Sequence, residues 1–288
     1  MKRPAHITLV NGVETSAIDI ADRGLAYGDG LFETMRVQEG EIPLLSLHLK
    51  RFLKGVNVLF LGEESRLKRD FLRYVKVTLD VMKSNVCLET CVIKMMVTRG
   101  NGGRGYVSPD EAQCHFIAQV FDLPSYPELF SIDGITIREC QYRLGFQPQL
   151  AGIKHLNRLD QVLASQELLG DPEGLLIDYE DKVIEGTKSN LLVFKGESVI
   201  TPSLSSCGVH GVLREELLAP AHKLSISIVT EDVMLSDLSQ CDGLAMINSV
   251  FGIWFVKTLI LQDGKKINYK KPANYGIIRD YLAQHFSY

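Results

Sequence analysis

The six cysteines, at positions 87, 91, 114, 140, 207 and 241, include no Cys-x-x-Cys pair, and no histidine joins them in a zinc-ligand spacing. Buried, reduced thiols in a cytosolic protein are therefore expected, not a disulfide framework or a structural metal. An excess of charge of one sign is missing too. The 31 basic and 35 acidic residues leave a formal charge of −4, which gives nucleic acid no broad basic face. A pocket that is basic only locally, suited to an acidic substrate, remains open. No apolar run is long enough to cross a bilayer: the richest stretch, 244–261, is broken by Asn248, Ser249, Gly252 and Lys257. That pattern suits two buried strands. The basic start Met-Lys-Arg-Pro-Ala-His6 has no apolar segment behind it, so no signal peptide is expected and the setting is cytoplasmic. Asp22-Arg-Gly-Leu-Ala-Tyr-Gly-Asp-Gly30 has three glycines but no closing Gly-Lys-Ser/Thr, so it is not a nucleotide loop. Internal repeats and low-complexity segments are absent.

What is present is ordinary for a globular chain: 288 residues, 45% hydrophobic and 23% charged, enough for one large or two smaller domains. Asn11-Gly12 between two short apolar runs predicts a hairpin. Glu39-Gly40 predicts a second, with strands over 31–37 and 41–45. Ser46 is placed to cap a helix whose Leu49, Phe52, Leu53, Val56, Leu59 and Phe60 form one apolar stripe, with His48 and Arg51 together off it. Another amphipathic helix is expected over 64–82. Strands over 89–99 and 113–121 follow, joined through Asn101-Gly-Gly-Arg-Gly-Tyr106. Leu123-Pro-Ser-Tyr-Pro-Glu128 is the best boundary in the chain. The domain reading is an N-terminal α+β domain at 1–122, a linker at 123–130 and a C-terminal α/β domain at 131–288. In the second domain we expect strands near 135–142, 174–179, 191–195 and 198–201, a helix over 212–224, and a last helix near 275–285. The fold class is α/β (α+β), two domains with a cleft between them.

Three stretches carry the chemistry. In Leu150-Ala-Gly-Ile-Lys-His-Leu-Asn-Arg-Leu-Asp-Gln-Val-Leu163, Lys154 follows a glycine. Leu156, Leu159, Val162 and Leu163 recur at helical spacing behind it, so a helix anchored in a core would aim the lysine. In Val183-Ile-Glu-Gly-Thr-Lys-Ser-Asn190, Glu185 closes a predicted hairpin. In Gly208-Val-His-Gly-Val-Leu-Arg214, two glycines precede a helix start, where the N–H groups of Val212 and Leu213 would meet an anion. A lysine, a carboxylate and an anion-binding helix start are what pyridoxal 5′-phosphate requires, with Arg51 as a candidate phosphate cation. Each has a plainer reading: a surface lysine, a solvated strand-end carboxylate, a flexible loop, a surface arginine.

In this order the residues resemble the fold-type IV family of pyridoxal-phosphate enzymes, which includes branched-chain and D-amino acid aminotransferases and a lyase acting on 4-amino-4-deoxychorismate. The resemblance runs from Asp22-Arg-Gly-Leu-Ala-Tyr-Gly-Asp-Gly-Leu-Phe-Glu-Thr34 to Asn248-Ser249. Thr98-Arg-Gly-Asn-Gly-Gly-Arg-Gly-Tyr106, and Arg143-Leu-Gly with the Lys154 stretch, look like the lyase branch. By resemblance Lys154 is the Schiff-base lysine in the C-terminal domain, Glu185 pairs with the pyridine nitrogen, and Arg51 binds the phosphate. Val212 and Leu213 hold the phosphate through their amides, Val209 lies against the ring, and Asn190, Asn248 and Ser249 neighbour the cofactor. Many members have Thr after Phe32, whereas Glu33 stands here; transaminases carry Glu there too, so this position does not choose between branches.

The lyase reading implies conversion of 4-amino-4-deoxychorismate to 4-aminobenzoate and pyruvate in folate synthesis. A substrate with two carboxylates gives arginines a purpose. Arg104 is the first candidate, then Arg99 and Arg143, with Thr34, Tyr27 and Tyr106 as further contacts. The alternatives are an aminotransferase for branched-chain or D-amino acids, with the same Lys154 and Glu185, and a cofactor-free binding or scaffold protein. The resemblance also implies a homodimer with a small-molecule substrate and neither nucleic acid nor membrane as partner.

Overall fold

The computed structural model describes residues 6–85, 90–109, 113–219 and 226–285. The chain forms two compact units, Met1–Pro124 with Ile153–Asn157, and Ser125–Gly152 with Arg158–Tyr288. Among the described residues no helix is long and apolar enough to cross a membrane.

The first unit contains β1 (Ile7–Val10), β2 (Val13–Glu14), α1 (Arg23–Tyr27), β3 (Gly30–Gln38), α2 (Leu45–Leu59), α3 (Glu64–Asn85), β4 (Thr90–Thr98) and β5 (His115–Asp122). Its antiparallel sheet runs β2-β1-β5-β4-β3. The β1–β2 hairpin turns on Asn11 and Gly12, both with positive φ. In β3 the two-residue alternation puts Leu31, Glu33, Met35 and Val37 on one buried face, toward Phe52, Val56 and Phe71 of the helices. Phe52 and Phe71 stack at 4.6 Å and join α2 to α3.

Several expectations for this unit need correction. The return strand at 41–45 is reduced to a single bridge, Gln38 to Glu41, because α2 begins at Leu45. Its N-cap is Leu44, with no side-chain cap bond, and Ser46 lies inside the helix. His48 faces inward and Phe60, at 85% exposure, faces out. The reason is Gly55: a Cβ there would stand 2.6 Å from the Leu31 side chain, so α2 lies close on β3 and turns His48 and Arg51 toward Glu33. Cys87, and Glu89 at the start of the expected 89–99 strand, lie outside the described residues.

The second unit contains α4 (Leu129–Ile132), β6 (Ile135–Leu144), α5 (Leu159–Gln166), β7 (Glu173–Asp178), β8 (Val183–Gly186), β9 (Asn190–Lys195), β10 (Ser198–Pro202), α6 (Val212–Leu218) and β11 (Ser227–Glu231). A 3-10 turn (Leu235–Ser239), β12 (Gly243–Asn248), β13 (Gly252–Ile260), β14 (Lys266–Asn268) and α7 (Ala273–Leu282) complete it. The mixed sheet runs β11-β10-β9-β12-β13-β6-β7-β8, with β14 on β13. One face is packed by Ile137, Leu175, Ile177, Val193, Met246 and Trp254, the other by Cys140, Leu144, Leu176, Ile184, Leu204 and Cys207.

Here too the structure amends the sequence. The 123–130 stretch is no free linker, since Tyr126 and Phe130 meet the Trp254 ring edge-on at 4.7 and 5.3 Å. Lys154 belongs with the first unit, not with the C-terminal one, and it does not open a helix: α5 starts at Leu159. The expected buried stripe is exposed instead, with Leu159 at 74%, Val162 at 49% and Leu163 at 46%. Helix α6 ends at Leu218, and the expected continuation beyond 219 lies outside the described residues.

Candidate active site

In the first unit Lys154 is positioned by strand pairing. The 153–157 segment lies along β3: Phe32 N–H donates to the Lys154 carbonyl and Leu156 N–H to that of Gly30, each at 2.9 Å. Gly30 permits this approach, because a Cβ would sit 2.3 Å from the Val97 carbonyl and 2.8 Å from Leu156. The Lys154 ammonium nitrogen lies 4.5 Å from the centre of the Phe32 ring. Lys94, on β4, has its nitrogen 5.5 Å from the same ring and pairs in register with Thr34. Burial pushes the Lys94 pKa down. Thr34, Phe32 and Lys94 therefore share the face that Lys154 overlies. Lys94 was not picked from the sequence, although a lysine inside Cys91-Val-Ile-Lys-Met-Met-Val97 is a signal in its own right.

On the opposite face of β3, Glu33 is buried against α2. Arg51 donates Nε–H to Oε1 at 2.8 Å and Nη2–H to Oε2, and His48 Nδ1–H donates to Oε2 at 2.6 Å. Burial alone would raise the Glu33 pKa, but the Arg51 charge and the bonds from Arg51 and His48 outweigh it and hold it at about 2. Burial pushes His48 down; Glu33 opposes this, while Arg51 and Lys154 add to it. A two-pronged carboxylate contact fixes the plane of the Arg51 guanidinium, which is what a phosphate-binding cation needs.

Arg99 is not available to a substrate. It is buried, and it donates to both Asp29 oxygens and to the carbonyls of Leu59 and Phe60, at 2.7–3.0 Å. The sequence places it beside the glycine-rich loop, but the fold uses it to tie the end of α2 to Asp29. Arg104 is exposed on that loop, and Tyr27 meets Tyr106 edge-on at 5.6 Å.

In the second unit a register shift decides where Glu185 points. It pairs with Leu176, while Val183 pairs with Ile177, so the irregularity turns Glu185 to the face of Leu176, Leu204 and Cys207. Strict alternation would have put it with Val183 on the other face. Glu185 is 4% exposed; its Oε2 accepts the Val209 N–H at 2.9 Å, and Gln161 Nε2 stands 3.5 Å from its Oε1. The Val209 carbonyl accepts from Asn190 Nδ2 at 3.0 Å, so the two peptide groups flanking Val209 are each held by a buried side chain. Gly152 N–H donates to the Gly208 carbonyl, and His210 N–H to that of Gly152.

The 208–211 loop is thereby fixed at the start of α6. Gly211 is its N-cap and supplies no side-chain acceptor. The first amides of a helix have no partner within it, so those of Val212 and Leu213 are oriented for an outside acceptor. A Cβ on Gly211 would lie 1.9 Å from Asn190 Oδ1. Buried Arg214 anchors the helix through Thr201, Pro202 and Thr230.

Asn248 uses its side chain on its own turn, accepting from Val250 and Phe251 N–H and donating to the Lys188 carbonyl, with Ser249 beside it. Arg143 donates to the Cys140 carbonyl and to Glu139, stabilising the irregularity in β6. That makes it a structural residue, not the substrate ligand expected. Taken unit by unit, the donors are of the kinds pyridoxal phosphate calls for: an amine and a fixed guanidinium in the first, an oriented carboxyl group and a helix start with a bare glycine cap in the second.

Residues 30–259 match the model of the family described as Amino-transferase class IV. An aminodeoxychorismate lyase from Vibrio harveyi is 32% identical over 259 residues, covering 89% of this chain and 92% of the relative. A putative branched-chain-amino-acid aminotransferase from Methanocaldococcus jannaschii is 29% identical over 88% of this chain and 85% of its own. Among solved structures, the 4-amino-4-deoxychorismate lyase of Pseudomonas aeruginosa superposes with a TM-score of 0.87 at 36% identity, over 98% of this chain and 100% of that one. The branched-chain aminotransferase of Escherichia coli reaches a TM-score of 0.81 at 19% identity over 98% and 94%, a likeness of fold alone. From the extent of the family match and the identity to the Vibrio relative, this chain belongs to the amino-transferase class IV family.

Proposed function

We propose that this protein is a pyridoxal 5′-phosphate-dependent lyase that converts 4-amino-4-deoxychorismate to 4-aminobenzoate and pyruvate, a step of folate synthesis. The observation that carries the reading is the 36% identity to the Pseudomonas lyase across 98% of the chain. The placement of Lys154 over Phe32, beside Lys94, supports it.

When bound, the cofactor supplies an electron sink for the substrate and a carbonyl through which the substrate amine is held. Lys154 would hold it by its amine, Glu185 would face its pyridine nitrogen, and Arg51 with the amides of Val212 and Leu213 would hold its phosphate. Val209, tied by Glu185 and Asn190, would present its side chain to the ring, and Asn190, Asn248 and Ser249 would frame it. The freed amine of Lys154 takes the proton from C4 of the substrate ring. The C–O bond of the enolpyruvyl ether then breaks, the ring becomes aromatic, and the enolate that leaves takes a proton from Lys154 to become pyruvate. The two substrate carboxylates fall to Lys94 and Arg104, with Thr34 and Tyr27 alongside.

The protein works as a cytoplasmic homodimer in this reading. The free thiols of the described cysteines suit a reducing compartment, and exposed Leu159, Val162 and Leu163 suit a subunit contact. An aminotransferase is the second reading, favoured by the 29% identity to the Methanocaldococcus protein. A cofactor-free scaffold has no such support.

The deciding assay supplies 4-amino-4-deoxychorismate without any keto acid and follows both products. Equal release of 4-aminobenzoate and pyruvate, abolished in Lys154→Ala, is expected. A folded, cofactor-loaded protein that releases neither would overturn the lyase reading and put the aminotransferase first.

A further inference from the structure

The glycine-rich loop at 101–107 is folded around one buried side chain, Arg23, which is 3% exposed. Its Nη2–H donates to the Tyr106 carbonyl at 3.0 Å, and Nη1 to that of Gly105 at 3.1 Å. The carbonyls of Gly102 and Val107 approach Nη1 at 3.4 Å. Nε–H donates to Asp29 at 3.0 Å, and the guanidinium carbon lies 4.9 Å from the centre of the Tyr27 ring. Asp29 also takes Arg99, so the loop is tied through Arg23 to a partly buried carboxylate and on to the end of α2.

Four carbonyls converging on one cation determine what the loop can show to solvent. With the peptide oxygens turned inward, Arg104 and Tyr106 are turned outward, and Gly102, Gly103 and Gly105 absorb the positive φ this needs. The base of the loop is closed by the Arg23 N–H on the Gly100 carbonyl and by Asn101 on Asp19. Only a planar group with several donors can serve acceptors spread this way; the single nitrogen of lysine cannot.

We propose that Arg23 is a positioning residue for the substrate: by templating the 101–107 loop it holds Arg104 in one attitude toward a substrate carboxylate. This rests on the assignment of Arg104 as a carboxylate ligand. Arg23 itself acts only through the loop.

The test uses the holoenzyme and two readouts. Trypsin cleavage at the Arg104–Gly105 bond, followed by mass spectrometry, reports loop opening without reference to activity. In Arg23→Gln it is expected to accelerate about tenfold or more, since cleavage follows the open population. Steady-state kinetics should show KM raised about tenfold, with kcat within about twofold and unchanged cofactor absorbance. Adding Arg23→Gln to Arg104→Gln should leave KM where Arg104→Gln alone puts it, because both act at one contact. Cleavage at the unaltered rate, or penalties that multiply in the double variant, would overturn the proposal. If Arg104→Gln leaves KM unchanged, it is the carboxylate assignment that fails, and cleavage still reports on the loop. Should Arg23→Gln not fold, Arg23→Lys, which keeps the charge beside Asp29, carries the same comparisons.

Discussion

The two glycine-rich loops, 101–107 in the first unit and 208–211 in the second, are pinned with opposite polarity. The first turns its carbonyls onto the Arg23 cation, which leaves side chains such as Arg104 and Tyr106 facing out. The second gives one N–H to Glu185 and one carbonyl to Asn190, and it ends in helix amides with a glycine cap. One loop presents side chains, the other presents backbone. Glycine content alone therefore says little about what a loop binds; the buried partner that pins it decides. A cation inside suits a loop that offers variable side chains to a substrate. A carboxyl group and an amide inside suit a loop that offers main-chain donors to a phosphate.

The largest effect that separates the two is expected from Gly211→Ala. The added methyl would meet Asn190 Oδ1 at 1.9 Å, so loop and helix start must shift apart. Pyridoxal phosphate affinity, read by absorbance titration, should fall by about 100-fold or more, with a stability loss of about 1–3 kcal/mol typical of overpacking. Retained affinity would break the comparison, because the second loop would then tolerate side chains as the first does.

A second effect, read in stability and its pH dependence and not in cofactor affinity, concerns the buried Glu33 that fixes Arg51. Its folded pKa of about 2 lies below the 4.5 of a free glutamate, so its contribution is complete above pH 4.5 and is lost as pH falls toward 2. His48 is depressed from 6.5, so the unfolded chain gains a proton there first, and stability begins to fall below pH 6.5. Acid denaturation should therefore begin below pH 6.5 and steepen below 4.5. Glu33→Gln should remove the lower phase and lower neutral-pH stability by roughly 3 kcal/mol, as a shift of this size implies. Calorimetry across the pH range checks both; an unchanged lower phase would mean that another carboxylate governs it.

The smallest effect is expected at Gly105. Nothing lies within 4 Å of an added Cβ, and only its φ of +73° resists substitution. Gly105→Ala should cost about 1 kcal/mol in denaturant unfolding and leave cofactor uptake unchanged. A loss of cofactor binding would show that the loops are not separable.

Much of the fold could be read in the sequence because its signals are local. The Asn11-Gly12 turn, the alternation in β3 and the stripe of α3 follow from the periods of strand and helix. The stretches carrying Lys154, Glu185 and the Gly208–Gly211 pair stood out because they combine polar groups with glycine. What failed was direction. Leu159, Val162 and Leu163 have helical spacing, yet they face outward, and Lys154 is aimed by β3 instead. Periodicity says that a stripe exists, not what will cover it. Arg99 and Arg104 are five positions apart in one glycine-rich stretch and looked alike. Only the approach of Asp29 and the end of α2 buried one and left the other exposed.

The sequence by itself determined the elements, the chemical groups and their order along the chain, because these depend on neighbours within a few residues. The tertiary structure alone decided which face each group took. The register shift turned Glu185 to the Val209 side, Gly55 let α2 settle on β3 and brought Arg51 to Glu33, and strand pairing set Lys154 above Phe32. All three depend on contacts between residues distant in sequence, whose energies no local pattern encodes.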